Sequence, residues 1–129
     1  IVVNFRIPEI KIFVNADEQT LRRLFLNLID NAIKYTPHGG KIDVVVRLES
    51  GRIKISVADT GVGIDQENLP RLFDKFFRIE GKMKTAVPSS GLGLSIAQSI
   101  AKLHQGDISV TSQVGKGTVF TVDLPLADR

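Results

Sequence analysis

The sequence contains no cysteine, and only 6% of its 129 residues are aromatic. The absence of cysteine excludes disulfides, cysteine-ligated zinc and thiol catalysis. The scarcity of aromatic side chains leaves no platform on which bases could stack, so we expect no nucleic-acid partner. No apolar run approaches the roughly 18 residues of a membrane span, and the N-terminus lacks the regions of a signal peptide. We therefore expect a soluble, cytoplasmic chain.

Length and composition predict one compact domain over residues 1–129, because 43% apolar and 24% charged residues are ordinary globular values. The net charge of +3 either favours an anionic ligand or merely keeps the domain soluble. The basic residues of one short stretch are more informative, since they lie between two glycine motifs where a phosphate could be met. They are Arg71, Lys75, Arg78, Lys82 and Lys84.

Alternating apolar residues predict an antiparallel hairpin over KIDVVVRLE and RIKISVA, with Ser50-Gly51 as its two-residue turn. A second hairpin is predicted near the C-terminus, where DISVTS and TVFTVDLP flank a turn at residues 115–117. The alternation leaves one face of the sheet polar. Helices are therefore expected on the other face only, which gives a two-layer α/β sandwich.

Two helices are predicted from apolar residues at helical spacing. The first opens with Asp17 as N-cap and stops at Pro37, and the second runs from about Leu92 to Gln105 with Gly106 placed to end it. The helical pattern fails between residues 69 and 90, except for one short amphipathic piece, RLFDKFFR. A loop of this length within a compact domain is typical of a functional or mobile segment.

Asn27, Asn31 and Lys34 follow the spacing i, i+4 and i+7, so they line one stripe beside the apolar face of the first helix. Two asparagines on a helix are often only solvated surface residues. An asparagine carbonyl is also a hard oxygen ligand suited to Mg²⁺, which completes its octahedron with phosphates and water.

Two glycine elements, DTGVGI and GLGL, flank the irregular stretch. The first puts Asp59 at a strand end, and Gly61 and Gly63 allow the backbone to turn closely around a ligand. The second opens the second helix, whose free N–H groups suit polyphosphate. Neither element has the third glycine of a dinucleotide fingerprint, and no P-loop motif occurs, so both of those folds are poor matches.

The order NLIDNAIKYTP, DTGVGI, LFDKFFR, GLGLSIA and GKGTVF closely resembles the N, G1, F, G2 and G3 boxes of sensor histidine kinases. The resemblance covers nearly the whole chain. It implies a mixed, largely antiparallel sheet covered on one face by helices, with an ATP lid at about residues 70–90. Gyrase-type, Hsp90-type and MutL-type ATPases share this fold.

The resemblance assigns the metal and phosphate end of the site. Asn31 matches the Mg²⁺ ligand of the family, while Asn27 and Lys34 match groups near the metal and phosphates. Arg78 matches an arginine that reaches the terminal phosphate, so Asn27, Lys34 and Arg78 are the expected catalytic residues. The phosphate turn corresponds to Gly91, Leu92, Gly93 and Leu94.

The resemblance also assigns the base end of the site. Asp59 matches the carboxylate that accepts a hydrogen bond from the adenine amino group, and Gly61 and Gly63 match the glycines that shape this pocket. Tyr35 matches a residue beside the nucleotide, and Thr118 matches a hydroxyl near the adenine. An acceptor at Asp59 favours adenine, since guanine presents a carbonyl where a donor is needed.

The implied activity is transfer of the γ-phosphoryl group of Mg-ATP to a histidine on a separate dimerisation domain of the parent protein, with a response regulator acting downstream. That phosphoacceptor domain is absent from the chain, which is expected to be monomeric and unable to phosphorylate itself. Anchoring of the parent in the inner membrane stays open. The alternatives are a serine-directed kinase of the anti-sigma-factor type and a docking module without catalysis. Rapid hydrolysis is disfavoured, because hydrolysing relatives have a glutamate where this chain has Asn27.

Overall fold

The computed structural model describes residues 1–9, 14–75 and 93–127. Within these ranges the chain forms strands, helices and one short 3₁₀ helix at Leu69–Arg71. The strands and α-helices are β1 (Val2–Arg6), α1 (Glu18–Tyr35), β2 (Lys41–Glu49), β3 (Arg52–Asp59), α2 (Gly93–Leu103), β4 (Asp107–Gln113) and β5 (Gly117–Pro125). None of the helices in the described ranges is long and apolar enough to cross a membrane.

The strands form one five-stranded sheet in the order β1-β2-β3-β5-β4. Only β1 and β2 run parallel, and every other neighbouring pair is antiparallel. Alternate residues of β2, β3 and β5 are buried, because both helices pack on the same face of the sheet. The predicted fold class, a two-layer sandwich with a mixed and largely antiparallel sheet, is therefore confirmed.

Both predicted hairpins are present. Glu49 pairs with Arg52 across a two-residue turn in which Ser50 has φ 50° and Gly51 has φ 77°, the left-handed pair that a type I′ turn requires. In the second hairpin Gln113 pairs with Gly117 across residues 114–116. The tight turns fix the register of both hairpins, and that register decides which side chains meet at the ends of the strands.

Helix α1 begins and ends as its sequence predicts. The Asp17 carboxylate accepts a hydrogen bond from the backbone N–H of Thr20 at 3.1 Å, which makes Asp17 the N-cap. Leu24 and Leu28 are fully buried under the helix. At the other end Thr36 is the C-cap, and Pro37 follows it.

Helix α2 ends at Leu103, two residues before its predicted end at Gln105. The Gly106 N–H donates to the Ala101 carbonyl at 2.9 Å, and the Gln105 N–H donates to the Lys102 carbonyl at 3.0 Å, which is the Schellman pattern. The left-handed residue is therefore Gln105, with φ 62°, and not Gly106. Gly106 is needed for space, because a Cβ there would lie 1.9 Å from the Asp123 carbonyl oxygen.

Replacing Gln105 by glycine is expected to raise the free energy of unfolding by roughly 0.5–1 kcal/mol, because glycine adopts a positive φ without steric cost. The backbone bonds of the helix end remain in the variant. Urea denaturation of the two proteins measures the difference. The matched control is Lys102→Gly, an exposed residue inside the helix, which should lower stability by roughly 1 kcal/mol. Destabilisation by both changes would contradict this explanation.

Strand β1 has no counterpart in the predicted elements. All five of its residues are exposed, so it lacks the alternation of buried and exposed positions that marks a half-buried strand. It pairs only with β2, at the edge of the sheet. The described part of the piece RLFDKFFR, residues 71–75, supplies core packing, since Leu72 is buried and the Phe73 ring meets Phe120 edge-on at 6.2 Å.

Candidate functional site

Asp59 ends β3 and is buried. One carboxylate oxygen, Oδ1, accepts hydrogen bonds from the backbone N–H of Gly61 at 2.8 Å and of Thr118 at 3.3 Å. Thr118 lies directly opposite Asp59 in the register of β3 and β5. With both backbone donors on Oδ1, the second oxygen, Oδ2, is left to accept a hydrogen bond from a ligand.

Burial raises the pKa of Asp59 above its ordinary value of 3.8, although the two backbone N–H groups act in the opposite direction. Burial therefore makes the ionised form of Asp59 less stable in the unliganded domain than it would be in water. A donor group that reaches Oδ2 would offset part of this cost, because it stabilises the ionised carboxylate.

The loop after Asp59 packs against the end of α1 at Gly61. Any larger residue at position 61 would force the backbone to shift. A Cβ on Gly61 would lie 2.3 Å from the Tyr35 carbonyl oxygen. That same carbonyl accepts a hydrogen bond from the Val62 N–H at 3.3 Å. The structure therefore brings together three of the predicted site residues, Tyr35, Asp59 and Gly61.

Gly63 anchors the same loop to the second hairpin. Its φ is +79°, and a Cβ there would lie 2.3 Å from the Gln113 carbonyl oxygen. Next to it, the Val62 carbonyl accepts a hydrogen bond from the Gly115 N–H at 2.8 Å. Both conformation and space therefore require glycine at position 63.

Ser112 of β4 contacts these candidate site residues, although the sequence does not predict it as one of them. Its hydroxyl accepts a hydrogen bond from the Ile64 N–H at 2.7 Å, donates to the Gly117 carbonyl at 3.0 Å and lies 2.8 Å from the Thr118 hydroxyl. It thus joins β4, β5 and the glycine loop. A serine in a strand rich in Ser and Thr carries no local signal of such a role, which depends on the register of β4 against β5.

The predicted stripe on α1 connects this pocket to the start of α2. The Asn27 amide nitrogen donates to the Gly93 carbonyl at 3.2 Å. Asn31 and Lys34 are half-buried on the same helix, and Tyr35 stands at the other end of the stripe. From Asn27 to Tyr35 the helix rises by about 12 Å, at roughly 1.5 Å per residue. A single elongated ligand could therefore contact both ends of the stripe.

Part of the predicted site lies outside the described residues: Arg78, Gly91 and Leu92, together with most of the lid predicted at about residues 70–90. Phe76 and Phe77 also lie outside the described residues. Of the phosphate turn, Gly93 and Leu94 are described, and they form the first turn of α2.

Comparison with known proteins identifies the family. Residues 16–128 match the model of the "Histidine kinase-, DNA gyrase B-, and HSP90-like ATPase" family. The chain is 40% identical over 112 residues to an uncharacterized sensor-like histidine kinase of Rhizobium meliloti, covering 87% of this chain and 21% of that protein. It is also 40% identical over 120 residues to the histidine protein kinase DivJ of Caulobacter vibrioides, covering 93% and 20%. The chain thus spans about a fifth of the length of these relatives.

Solved structures give the same result. The mycobacterial sensor histidine kinase MprB aligns with a TM-score of 0.81 at 29% identity, over 96% of this chain and 84% of that one. Full-length ShkA in complex with AMPPNP aligns with a TM-score of 0.83 at 29% identity, over 98% of this chain and 26% of that one. The chain therefore belongs to the histidine kinase-, DNA gyrase B- and HSP90-like ATPase family, as an ATP-binding domain of the histidine kinase type.

Proposed function

We propose that this domain binds Mg-ATP along the α1 stripe and supplies the γ-phosphoryl group to a histidine on a separate dimerisation domain of its parent protein. The observation that supports the proposal is that helix α1 links two groups of predicted site residues. An acceptor pocket at Asp59 and Thr118 lies at one end of α1, and the Asn27 contact with Gly93 lies toward the other. Phosphoryl transfer depends mainly on positioning and charge stabilisation, which such a site supplies.

In this proposal the adenine amino group donates to Oδ2 of Asp59, next to the Thr118 hydroxyl. Tyr35 borders the base, and Gly61 and Gly63 shape the loop around it. A buried acceptor selects for an amino group and against a carbonyl, because the wrong base would leave a buried carboxylate facing another acceptor.

The proposed metal site fits the donor chemistry of α1. Within residues 1–9, 14–75 and 93–127, no three His, Asp or Glu side chains lie close enough together to hold a metal ion. A site of the kind proposed needs none, since Mg²⁺ takes few protein oxygens and fills its remaining positions with phosphate and water. Asn31 would supply the amide oxygen, and the bound Mg²⁺ would neutralise charge on the phosphates. Lys34, one turn on, would face the phosphates, and we propose that Arg78 does so from the segment outside the described residues.

The identity of residue 27 supports transfer to another protein rather than hydrolysis. Asn27 lies one helical turn before Asn31, where hydrolysing relatives carry a glutamate. An amide cannot take a proton from water, and this amide is already engaged by the Gly93 carbonyl. Water in the site therefore lacks a general base at this position.

Asn31→Ala is expected to remove the Mg²⁺-dependent part of ATP affinity, because no other oxygen occupies that helix position. Titration calorimetry in Mg²⁺ and in EDTA measures this part as the ratio of two dissociation constants. The ratio should fall to about one in the variant. The matched control is Asp30→Ala, an exposed neighbour on the same helix, which should leave the ratio unchanged. A wild-type ratio in Asn31→Ala would remove Asn31 from the metal site.

We infer that neither His38 nor His104 accepts the phosphoryl group. His104 is half-buried and uses both ring nitrogens: Nδ1 is 2.8 Å from the Ile100 carbonyl, and Nε2 accepts from the Asp17 N–H at 3.1 Å. It therefore links the end of α2 to the start of α1. His38 is exposed in the turn after α1.

Incubation with labelled ATP tests the proposed function. The chain alone should stay unlabelled, and addition of the histidine-bearing domain of its parent should put acid-labile phosphate on that domain. Acid-stable phosphate on serine would instead support a serine-directed kinase. Failure to bind ATP would leave only a docking role. Stoichiometric label on His38 or His104 would contradict the division of labour between the two domains.

A further inference from the structure

The Ser112 hydroxyl has a fully determined set of hydrogen bonds. It carries one proton and two lone pairs, and it has three polar neighbours among the described residues. The Ile64 N–H, at 2.7 Å, can only donate, and the Gly117 carbonyl, at 3.0 Å, can only accept. The third neighbour, the Thr118 hydroxyl at 2.8 Å, can do either.

Only one arrangement of protons makes all three contacts hydrogen bonds. Ser112 gives its proton to the Gly117 carbonyl, and one lone pair takes the Ile64 N–H. The remaining lone pair must then take the proton of Thr118. The Thr118 hydroxyl is buried, where an unmade hydrogen bond is costly, so this arrangement is favoured over the others.

The consequence for the pocket is that Thr118 has no proton left for a ligand. Its oxygen can accept a hydrogen bond but cannot donate one. It stands opposite Asp59, whose carboxylate is also an acceptor. The pocket therefore presents two acceptors side by side, and an exocyclic amino group, with two N–H hydrogens, satisfies both.

We propose that Ser112 is a positioning residue for base selectivity, which holds the Thr118 hydroxyl as an acceptor and so makes the pocket reject a base with a carbonyl in place of the amino group. The inference rests on the proposed function, because it assumes that the base of ATP lies against Asp59 and Thr118. Without Ser112 the Thr118 hydroxyl could rotate and donate to a carbonyl.

The test compares the dissociation constants of ATP and of inosine triphosphate, which carries a carbonyl where ATP carries the amino group. Ser112→Ala should lower the preference for ATP over inosine triphosphate by about three- to tenfold. This is the effect of one hydrogen bond, expected when the Thr118 hydroxyl can donate instead of only accepting. Ser112→Thr keeps a hydroxyl and should restore the preference. The matched control is Ser109→Ala, an exposed serine of the same strand, which should leave the preference at the wild-type value.

A merely structural role of Ser112 predicts a different result. Loss of the bond to Ile64 would loosen the loop and weaken both nucleotides by the same factor, leaving their ratio unchanged, and this outcome would overturn the inference. Thr118→Val supplies an independent readout. It should also lower the preference, and Ser112→Ala should add nothing further in that background, since the hydroxyl through which Ser112 acts is gone.

The failures of the two proposals are distinguishable. If the wild-type domain binds neither nucleotide, the proposed function falls, and this inference falls with it. If the wild-type domain binds ATP in preference to inosine triphosphate and neither Ser112→Ala nor Thr118→Val lowers that preference, only the role of Ser112 is overturned.

Discussion

Asp59→Asn is expected to weaken ATP binding by about ten- to a hundredfold while leaving the unliganded domain at least as stable at neutral pH. The asparagine oxygen can still accept from the Gly61 and Thr118 N–H groups, but its NH₂ group meets the adenine amino group donor to donor. A hydrogen bond to a charged acceptor contributes roughly 1.5–3 kcal/mol, which sets the expected range. Titration calorimetry gives the affinity, and an unchanged dissociation constant would remove Asp59 from the base pocket.

The stability half of this prediction follows from the raised pKa of Asp59. The folded state holds the proton of Asp59 more tightly than the unfolded state does. The free energy of unfolding therefore decreases as pH rises from the ordinary pKa of 3.8 through the folded pKa, and it stays lower above that interval. Asp59→Asn should remove this decrease. Urea denaturation across this pH range compares the two proteins, and identical pH dependence would contradict the burial argument.

A second carboxylate, that of Asp123, changes the free energy of unfolding with pH in the opposite direction. Its effect falls in a different pH interval from that of Asp59. Burial tends to raise the pKa of Asp123, but its ion pairs with Lys54 and Arg52 outweigh burial and lower the pKa below 3.8. Its contribution is present above pH 3.8 and is lost as pH falls through the lowered pKa. The decrease assigned to Asp59 lies above 3.8, so the two effects occupy different pH intervals.

Gly63→Ala is expected to lower the free energy of unfolding by about 2–5 kcal/mol. About 1–2 kcal/mol comes from a side chain at positive φ, and a further 1–3 kcal/mol from forcing a methyl group against the Gln113 carbonyl oxygen. Gly115→Ala is the matched control, because Gly115 has a similar φ of +84° and open space around its Cβ position. Only the conformational part should appear there. Urea denaturation measures the free energy of unfolding of both variants. Equal decreases would contradict the prediction, because they would mean that the loop moves to accommodate the methyl group without a loss of stability.

Local chemistry was sufficient to predict the hairpins and α1. Three features each depend on only a few neighbouring residues, so the local sequence is sufficient to predict them. They are the Ser50-Gly51 turn, the alternation of apolar residues in β2 and β3, and the Asp17 N-cap. The end of α2 was placed less well. The sequence predicts that Gly106 takes the left-handed conformation, but Gln105 takes it instead. Gly106 follows because only glycine fits against the Asp123 carbonyl oxygen. That carbonyl is remote in sequence.

Long-range contacts account for what the sequence could not predict. Strand β1 is held by parallel pairing with a strand that follows a whole helix, and its exposed residues show no period. Asp59, Gly61 and Gly63 could be predicted as site residues because a strand end followed by glycines is a local motif. Ser112 was not, because its partners Ile64 and Thr118 reach it only through the register of the folded sheet.

The proposed base pocket draws Tyr35, Asp59, Ser112 and Thr118 from distant parts of the chain, and no segment shorter than most of the domain contains them all. If these residues contact the nucleotide as proposed, only the complete fold forms the whole site. A ligand that binds only the folded state shifts the folding equilibrium by mass action, by about 2.7 kcal/mol at a free concentration of a hundred times its dissociation constant. Under the proposed function, a nucleotide that binds only the folded domain therefore raises its free energy of unfolding as well as filling its site.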